Sequence, residues 1–467
     1  MTCINAVDRK KAAVLSCAGI TERLGKDMVR TVKFGGTSLA DAQMMKRCAD
    51  IIHSDASRRY IVVSAPGKRN PEDVKVTDLL YRLYAEKYSG REYVDTLYQI
   101  RDRFEEMICD LGIAFDLSAE MEEIRTGLEH LPGSDWLASR GEYLNAKIFA
   151  AYLGVPFVDA AVLIRMKADH TMDEEETYRN AAEVLKHYEY AVIPGFYGAD
   201  ENGRIITFTR GGSDVTGSVI ARAVKADLYE NWTDVSGVLS ADPRIVKNPK
   251  RVSMLSYREL RELSYMGASV LHEDAVFPLK NTGIPIEIRN TMDPEAEGTR
   301  IAAVYPFDRD KHLVTGIAGK KGFSNLQIEM AMMNSQVGFG AKVLEIFADH
   351  GISYEHTPTS IDIMSVIAET VYMESCRNEL IQEINEAFHP DRIFIEDGLA
   401  LVAVVGEGIS ANVGVAARVL QSIADAGISV KMIDAGCSEL NIIIGVTEAD
   451  YEKTIRSLYD SLEEYMH

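Results

Sequence analysis

The sequence predicts an α/β protein, an open αβα sandwich with a mainly parallel sheet, followed by two smaller α+β domains. Three observations lead to this prediction. From residue 30 to residue 300, short apolar segments alternate with longer amphipathic ones, which is typical of parallel strands covered by helices on both faces. The chain has 467 residues, enough for about two to four domains. Its C-terminal part contains an internal repeat built around a short amphipathic segment.

Charge and cysteine content exclude several classes of protein. The chain carries 50 Lys and Arg against 71 Asp and Glu, a formal net charge of −21. Such an acidic chain is a poor candidate for binding nucleic acid or an anionic membrane. The cysteines are scattered without a Cys-x-x-Cys pair, which predicts reduced thiols rather than a disulfide framework or a zinc site. They are Cys3, Cys17, Cys48, Cys109, Cys376 and Cys437.

Residues 1–29 are interpreted as an N-terminal extension of a cytoplasmic protein. The basic residues at positions 9–11 precede an apolar stretch, but Ser16 and Gly19 interrupt that stretch, so it is a poor signal peptide. No apolar run elsewhere reaches membrane-spanning length. We therefore expect an extension at residues 1–29, an α/β domain at 30–300, and two α+β domains at 301–390 and 391–467.

Apolar runs and capping residues predict the elements of the α/β domain in order. Strands are predicted at residues 31–34, 60–65, 155–159, 190–197 and 204–208, and a further strand ends at 232–235. Helices are predicted at residues 39–52, 77–88, 92–110, 118–130, 134–153 and 213–223, and another opens at 267–272. Ser38 with Asp41, Thr77 and Ser213 are predicted N-caps, because short polar side chains accept hydrogen bonds from the first N–H groups of a helix.

Residues 32–38 (Val-Lys-Phe-Gly-Gly-Thr-Ser) carry the first chemical signal. A buried strand leads into two glycines and then into a helix start, an arrangement whose unpaired N–H groups suit a phosphate. Lys33 adds a full positive charge beside them. A Gly-Gly turn alone is more often structural, so the specific signal is the complete seven-residue string.

A second glycine turn, Arg-Gly-Gly-Ser-Asp at residues 210–214, offers the groups that an amino-acid substrate needs. Arg210 supplies a guanidinium for a carboxylate, and Asp214 supplies a carboxylate for an ammonium. Three more segments follow: Trp-Thr-Asp-Val at residues 232–235, Asp-Pro-Arg at 242–244, and Gly-Ala-Ser-Val-Leu-His at 267–272. Each is more often structural when taken singly, and the signal lies in the ordered set.

This set resembles the catalytic domain of the aspartokinases, within the amino acid kinase family, from about residue 29 to residue 299. The resemblance implies transfer of the γ-phosphoryl group of ATP, bound with Mg²⁺, to the β-carboxylate of L-aspartate. It implies catalytic roles for Lys33 and Asp214, and no protein metal ligand. It implies nucleotide binding by Lys33, Phe34, Gly35, Gly36, Thr233, Asp234, Leu239, Arg244, Ser269 and Val270. It implies substrate binding by Thr77, Glu142, Arg210, Gly211, Gly212, Ser213 and Asp214.

The residue types suit this reaction. An aspartate β-carboxylate has a pKa of about 3.9 and is already an anionic nucleophile at neutral pH, so no general base is needed. Positioning and positive charge should therefore dominate. Two positions depart from the family pattern, since Leu239 stands where many members have a tyrosine and Ser269 where many have a lysine. The missing lysine predicts weaker nucleotide binding rather than a different reaction.

Residues 337–353 and 413–429 form an internal repeat, with ten identities in seventeen ungapped positions. Each copy is predicted as strand, glycine turn, amphipathic helix, glycine and strand, with Val343, Leu344 and Phe347 on the apolar face of the first helix. Two copies, each too small to bury a large core, should pack together. The pattern resembles paired ferredoxin-like ACT domains, the amino-acid-sensing modules of aspartokinases. A purely structural dimerisation repeat is the alternative.

The ACT resemblance implies an effector site in the first repeat and assembly as a homodimer or homotetramer through these domains. The site residues would be Met333, Asn334, Gln336, Gly338, Phe339, Gly340 and Ala341, with Ser353, Tyr354 and Glu355 on the next strand. A carboxylate at Glu355 matches an ε-ammonium, which favours lysine as the effector, with threonine possible.

Two classes of function remain open from the sequence. The first is a feedback-regulated aspartokinase at the head of the lysine, threonine and methionine pathway. The second is a non-catalytic amino-acid sensor with a degenerate kinase fold. Within the enzyme class, a kinase of glutamate or of another acidic amino acid is the nearest alternative.

Overall fold

The computed structural model describes residues 28–130, 133–209, 211–268, 271, 273–303, 313–409, 412–435 and 439–466. The predictions for the extension before residue 28, and those for Arg210, Ser269 and Val270, lie outside these ranges. The chain divides into two compact units. The first is drawn from Met1–Val238, Ser253–Tyr257 and Ser269–Pro306, and the second from Leu239–Val252, Arg258–Ala268 and Phe307–His467.

The first unit is built on a seven-stranded sheet with the order β3-β2-β1-β6-β8-β9-β7 and a separate β4-β5 ribbon. The strands are β1 (Arg30–Phe34), β2 (Arg58–Val63), β3 (Ala191–Pro194), β4 (Tyr197–Ala199), β5 (Ile205–Thr207), β6 (Leu228–Thr233), β7 (Met254–Ser256), β8 (Ile286–Asn290) and β9 (Thr299–Ala302). The helices are α1 (Ala42–His53), α2 (Val76–Tyr88), α3 (Val94–Leu111), α4 (Leu117–Glu129), α5 (Ser134–Leu153), α6 (Ala160–Leu163), α7 (Glu174–Leu185) and α8 (Gly212–Ala223), and α9 (Tyr257–Tyr265) spans the division between the units.

The sheet confirms the predicted mainly parallel α/β architecture. All neighbouring strands pair in parallel except β8 and β9. The central strand β1 is buried from Thr31 to Phe34, as expected for a strand covered on both faces. Parallel strands place their carboxyl ends along one edge, and the loops that follow β1, β2, β3 and β6 therefore share that edge.

The predicted N-caps are wrong in detail. Asp41 itself caps α1, because its Oδ1 accepts from the N–H of Met44, and Ser38 instead lies in a short 3₁₀ turn, Thr37–Leu39. Helix α2 begins one residue before Thr77. The cap of α8 is Gly211, not Ser213, because glycine adopts the left-handed conformation (φ 56°) that this sharp entry requires.

Two other predicted elements of the first unit differ. The strand expected at residues 155–159 is reduced to a single bridge between Phe157 and Val192. The predicted strand 190–197 is divided, because β3 ends at Pro194 and Phe196 takes a left-handed conformation with φ 78° before β4 starts.

The second unit contains a five-stranded sheet with the order β11-β10-β12-β14-β13. Its strands are β10 (Gly316–Glu329), β11 (Ile363–Glu369), β12 (Arg392–Val405), β13 (Met432–Ala435) and β14 (Asn441–Thr447). Its helices are α10 (Phe339–Asp349), α11 (Thr370–Glu374), α12 (Arg377–Phe388), α13 (Val415–Asp425) and α14 (Tyr451–Leu462).

The internal repeat has the same local structure in both copies. Helices α10 and α13 start at equivalent positions, each after a left-handed glycine, Gly338 (φ 89°) or Gly414 (φ 97°). Each repeat packs its helix on its own apolar core. The long strands β10 and β12 run through both halves of the sheet, so the two repeats share strands.

The compact units do not follow the predicted boundaries. Residues 239–252 and 258–268, expected within the 30–300 domain, cluster with the C-terminal residues. Sequence position alone does not reveal this, because the division depends on contacts made far along the chain. Across the described ranges, no helix is both long and apolar enough to cross a membrane.

Candidate active site

Three polar side chains meet at the carboxyl edge of the central strands. Lys33 on β1 forms an ion pair with Asp214 at the start of α8, with 2.5 Å between Nζ and Oδ1. Asn231 on β6 donates from Nδ2 to the same Oδ1 at 2.8 Å, and its own Oδ1 lies 3.5 Å from the Lys33 ammonium. Lys33 and Asn231 are buried, and the Asp214 side chain is 20% exposed. The edge therefore holds a buried cation whose carboxylate partner is partly exposed.

The backbone of Asp214 is also held in place. Tyr229, two residues before Asn231 on β6, donates its hydroxyl to the Asp214 carbonyl at 3.1 Å. A Cβ at Gly217 would lie 2.3 Å from that hydroxyl, so this glycine gives the ring its space. Residues at i and i+2 of a strand face the same side, and here both face the first turn of α8.

The glycine turn after β1 differs from the predicted phosphate cradle by one residue. The N–H of Gly35 is not free, because it donates to the Trp232 carbonyl at 3.0 Å. In the described part of the chain, the N–H groups of Gly36, Thr37 and Ser38 have no backbone acceptor. These three groups, together with Lys33, are suited to bind phosphate oxygens.

A close backbone approach fixes this turn. The N–H of Gly67, in the loop after β2, donates to the Gly36 carbonyl at 2.8 Å, and a Cβ on Gly67 would lie 2.6 Å from the Gly36 carbonyl carbon. Arg103 on α3 donates to the carbonyls of Ala40 and Gly67 at 2.9 and 2.7 Å, and its other terminal nitrogen pairs with Asp73 at 2.6 Å. A buried arginine thus ties both loops together.

Glu142 on α5 is the carboxylate with the strongest sign of a missing partner. It is 5% exposed, and its Oε2 is buried without a hydrogen-bond partner among the described residues. Burial raises the pKa of this carboxyl to about 8, although hydrogen bonds from the N–H groups of Ala65 and of Glu142 itself act to lower it. Gly141 allows the approach, because a Cβ there would lie 2.9 Å from the Ala65 Cβ. Glu142 therefore faces the end of β2.

The loop after β3 packs against the second glycine turn. A Cβ on Gly195 would lie 2.6 Å from the Ser213 Oγ, and a Cβ on Gly212 would lie 2.6 Å from the Phe196 ring. The left-handed conformation of Phe196 is uncommon for a bulky side chain, and such strain occurs at functional sites. Ser213 is half-buried in this contact rather than capping α8.

The other predicted nucleotide residues fall into two groups. Phe34 is fully buried and stacks on Trp232 with 6.2 Å between ring centroids, so only its backbone borders the edge. Thr233 ends β6 and Asp234 is exposed just beyond it. Leu239 and Arg244 belong to the second unit, where the Arg244 guanidinium pairs with Asp242 and is 86% exposed.

Thr77 was predicted to bind the substrate rather than the nucleotide. It lies half-buried in the first turn of α2.

Two predicted effector residues have core side chains. Met333 and Phe339 are buried in the core of the first repeat, so only their backbone groups can face a ligand. Gly340 is half-buried, and Asn334, Gln336, Gly338 and Ala341 are exposed. The expected following strand is wrong, because Ser353, Tyr354 and Glu355 precede a segment that only bridges β11 at His356 and Thr359.

Glu355 has a hydrogen-bond partner within the second unit. Its Oε2 accepts from the hydroxyl of Tyr265, at the end of α9. The next residue, His356, lies with its Nδ1 2.8 Å from the carboxylate of Asp434 on β13, the strand that follows the second repeat. The segment predicted to bind the effector is therefore connected both to α9 and to β13.

The donor set suits a nucleotide better than a protein-bound metal. In the described ranges, no group of three or more His, Cys, Asp or Glu side chains is arranged to hold a metal ion. Lysine and backbone N–H groups are donors, which bind phosphate and not cations. A Mg²⁺ ion at this edge would therefore rely mainly on phosphate oxygens, as this ion commonly does.

Sequence reasoning missed four residues: Asn231, Tyr229 and Phe196 at this edge, and Arg103, which holds its loops. The first three lie on or beside segments that were singled out, and Asn231 directly precedes the Trp-Thr-Asp-Val segment. Asn231 and Tyr229 are two residues apart on a strand, so the sequence already indicated that both side chains face the same side of the sheet. Arg103 had no signal in the sequence, because a lone arginine in an amphipathic helix is usually solvated.

This fold and this edge define a member of the amino acid kinase family, and the family model matches residues 28–290. An ACT domain model matches residues 402–462. Aspartokinase 3 of Bacillus subtilis is 38% identical over 450 residues, which cover 92% of this chain and 98% of the relative. The crystal structure of Clostridium acetobutylicum aspartate kinase matches with a TM-score of 0.86 at 45% identity, covering 93% of this chain and 99% of that one. The chain belongs to the aspartokinases, and it is an aspartate kinase.

Escherichia coli aspartokinase III is a more distant relative with two informative structures. Both are 28% identical to this chain and cover 93% of it. The complex with aspartate and ADP covers 100% of that chain with a TM-score of 0.74, and the complex with lysine and aspartate covers 99% with a TM-score of 0.72. Membership of this family brings nucleotide use, phosphorylation of aspartate and allosteric regulation by amino acids.

Proposed function

We propose that this enzyme phosphorylates the β-carboxylate of L-aspartate with the γ-phosphoryl group of MgATP, forming 4-phospho-L-aspartate and ADP. The reaction is the first step of the lysine, threonine and methionine pathway, and lysine is the feedback effector. The observation that carries the substrate assignment is the buried Oε2 of Glu142, which has no hydrogen-bond partner among the described residues, at the edge that also holds Lys33. A buried carboxylate without a partner suits an ammonium group.

We assign the roles of Glu142 and Asp214 from their surroundings, and those of the other residues from the family resemblance. Glu142 binds the α-ammonium of aspartate, and Arg210 its α-carboxylate. Asp214 already pairs with Lys33, so it positions that lysine rather than binding the ammonium, which revises its expected role. Thr77, Gly211, Gly212 and Ser213 line the substrate side of the edge.

The transfer step needs positive charge rather than a base. One oxygen of the aspartate β-carboxylate attacks the γ-phosphorus while the bond to the β,γ-bridging oxygen breaks, and ADP leaves with that electron pair. Lys33 and the N–H groups of Gly36 to Ser38 balance the negative charge that develops on the phosphoryl oxygens. Mg²⁺, when bound with ATP, supplies further positive charge on the phosphates.

The proposal that free lysine is the effector rests on the negative charge of Glu355. The Tyr265 hydroxyl that donates to Glu355 is neutral, and no cationic side chain of the described residues forms an ion pair with this carboxylate. An ε-ammonium would supply that cation at the segment following α10.

An ATP-dependent hydroxamate assay tests the function. Aspartate should give product and glutamate should not, and lysine should inhibit while threonine should not. Product from glutamate at a comparable rate would contradict the substrate, and inhibition by threonine alone would contradict the effector.

A substitution at Glu355 tests the effector site separately. Glu355→Gln should raise the half-inhibitory lysine concentration about tenfold, since the ion pair between the ε-ammonium and the carboxylate is lost and only a hydrogen bond to the amide carbonyl remains. Activity without lysine should stay unchanged. Glu374→Gln, at an exposed glutamate at the end of α11, is the matched control. A Glu355→Gln enzyme as sensitive as its parent would contradict the assignment.

A further inference from the structure

We propose that Asn231 is a positioning residue for phosphoryl transfer, which holds the Asp214 carboxylate so that Lys33 can leave it for the phosphate. The inference rests on the proposed roles of Lys33 and Asp214. Its basis is the closed triangle of the three side chains at the carboxyl edge of β1 and β6.

The Lys33 ammonium and the Asn231 amide both contact the same carboxylate oxygen of Asp214. Oδ1 of Asp214 receives the Lys33 ammonium at 2.5 Å and the Asn231 amide N–H at 2.8 Å. The contact from Lys33 to the Asn231 carbonyl is long, 3.5 Å, so Asn231 serves mainly as a donor to Asp214. A carboxylate that accepts a second hydrogen bond keeps a partner when the cation moves away.

The burial of Asn231 makes this role specific. The residue is 3% exposed on the central sheet, where an amide without a partner is costly. Both amide functions are directed at the pair, with the N–H₂ toward the anion and the carbonyl toward the cation. Tyr229 holds the Asp214 backbone from the same strand, so β6 fixes this residue at two points.

Two variants separate the donor function from packing. Asn231→Leu has a similar volume and removes both amide functions, so Lys33 stays paired with Asp214. Its kcat should fall by about 10- to 100-fold, in line with the loss of a preorganised group. The KM for aspartate should change by less than about threefold, because Glu142 lies on a different element.

Asn231→Asp has nearly the same shape, cannot donate, and places a second carboxylate beside Asp214. Like charges this close raise the pKa of one carboxyl, so protonation at lower pH restores a donor. At saturating substrates, the ratio of mutant to parent kcat should therefore rise about tenfold between pH 8 and pH 6. A purely structural defect does not predict such a pH profile.

Thr31→Val is the matched control. Thr31 is fully buried on β1, two residues before Lys33, and its hydroxyl has no partner in the described residues. Its kcat should stay within about twofold of the parent. That result shows that an isosteric change in the buried sheet does not by itself impair turnover.

Lys33→Ala, measured in parallel, separates this inference from the proposed function. A loss of about 100-fold or more in kcat with normal Asn231 variants overturns the inference alone. A folded Lys33→Ala enzyme with normal turnover overturns the proposed role of Lys33, and the inference with it. If Asn231→Leu does not fold, a pH-independent kcat ratio for Asn231→Asp overturns the inference.

Discussion

At the scale of single residues, the assignment of aspartate as the substrate depends mainly on the carboxyl group of Glu142. Glu142 is buried at the end of β2 with its Oε2 unpartnered among the described residues, and burial raises its pKa to about 8. Near neutral pH the free enzyme therefore holds this group mostly protonated. Binding an ammonium favours the carboxylate, so the proton must leave when aspartate binds.

The KM for aspartate should consequently fall as pH rises from 6 to 8, by about tenfold per pH unit, and level off above the pKa of Glu142. Initial-rate measurements at saturating ATP give this profile. The KM for ATP, measured at saturating aspartate, should show no comparable slope. An aspartate KM that is flat over the same range would remove Glu142 from the ammonium site.

The protonation of Glu142 should also make the free energy of unfolding depend on pH. The carboxyl binds its proton more tightly in the folded state than at the reference pKa of 4.5, so this contribution is present below pH 4.5 and is lost as pH rises toward 8. Glu142→Gln should therefore lose a slope of about 1.4 kcal/mol per pH unit in that window. Urea unfolding of both proteins at several pH values measures it, and equal slopes would contradict the raised pKa.

At the scale of the element, the loops after β1 and β2 depend on a helix that contributes no group to the edge. Arg103 on α3 bonds the carbonyls of Ala40 and Gly67 and pairs with Asp73. Gly36 and Gly67 approach so closely that neither tolerates a side chain without movement. The phosphate turn is thus held by tertiary contacts rather than by its own conformation.

Arg103→Met should lower the free energy of unfolding by about 3 kcal/mol, because the buried carbonyls of Ala40 and Gly67 lose their donor and Asp73 keeps only its pairing with Arg69. It should also raise the KM for ATP by roughly tenfold through the loosened turn. Arg101→Met, on the exposed side of the same helix, should change stability by less than about 0.5 kcal/mol. An Arg103→Met enzyme with unchanged stability and KM would show that the turn stands alone.

At the scale of the whole molecule, the two repeats expose the same side chain. Val337 and Val413 are equivalent positions before α10 and α13, and both are fully exposed. An apolar side chain at the same place in both repeats suits a contact with another chain. This supports the expectation that the enzyme assembles through its ACT domains.

Val337→Asp should therefore reduce the assembly to a smaller species in sedimentation analysis, since it places a charge in an apolar contact. Inhibition by lysine should weaken at the same time, because the proposed effector site follows the same turn. Val371→Asp, at an exposed valine of α11, is the control and should change neither property. Unchanged assembly in Val337→Asp would exclude this surface from the contact.

The fold class and the repeat could be predicted from the sequence alone, and so could the segments that carry Lys33, Glu142 and Asp214. These features are glycine turns, strand and helix periodicity, and the string around Lys33. They can be recognised because each depends only on residues that are close in the sequence. Helix 134–153 was predicted with its observed bounds. The helix caps failed because Ser38 and Ser213 found tertiary contacts that outweighed capping, with Thr291 and Gly195 respectively.

Which groups come into contact could not be predicted from the sequence. Lys33 and Asn231 are 198 residues apart, and no periodicity relates positions at that separation. The same holds for Arg103, whose partners lie on two distant loops. Gly35 does not offer its N–H to a ligand, because strand β6 supplies an acceptor for it, whereas the N–H groups of Gly36, Thr37 and Ser38 have no backbone acceptor in the part of the chain that the structure describes. Pairing across a sheet is set by the packing of the whole domain, which local sequence does not encode.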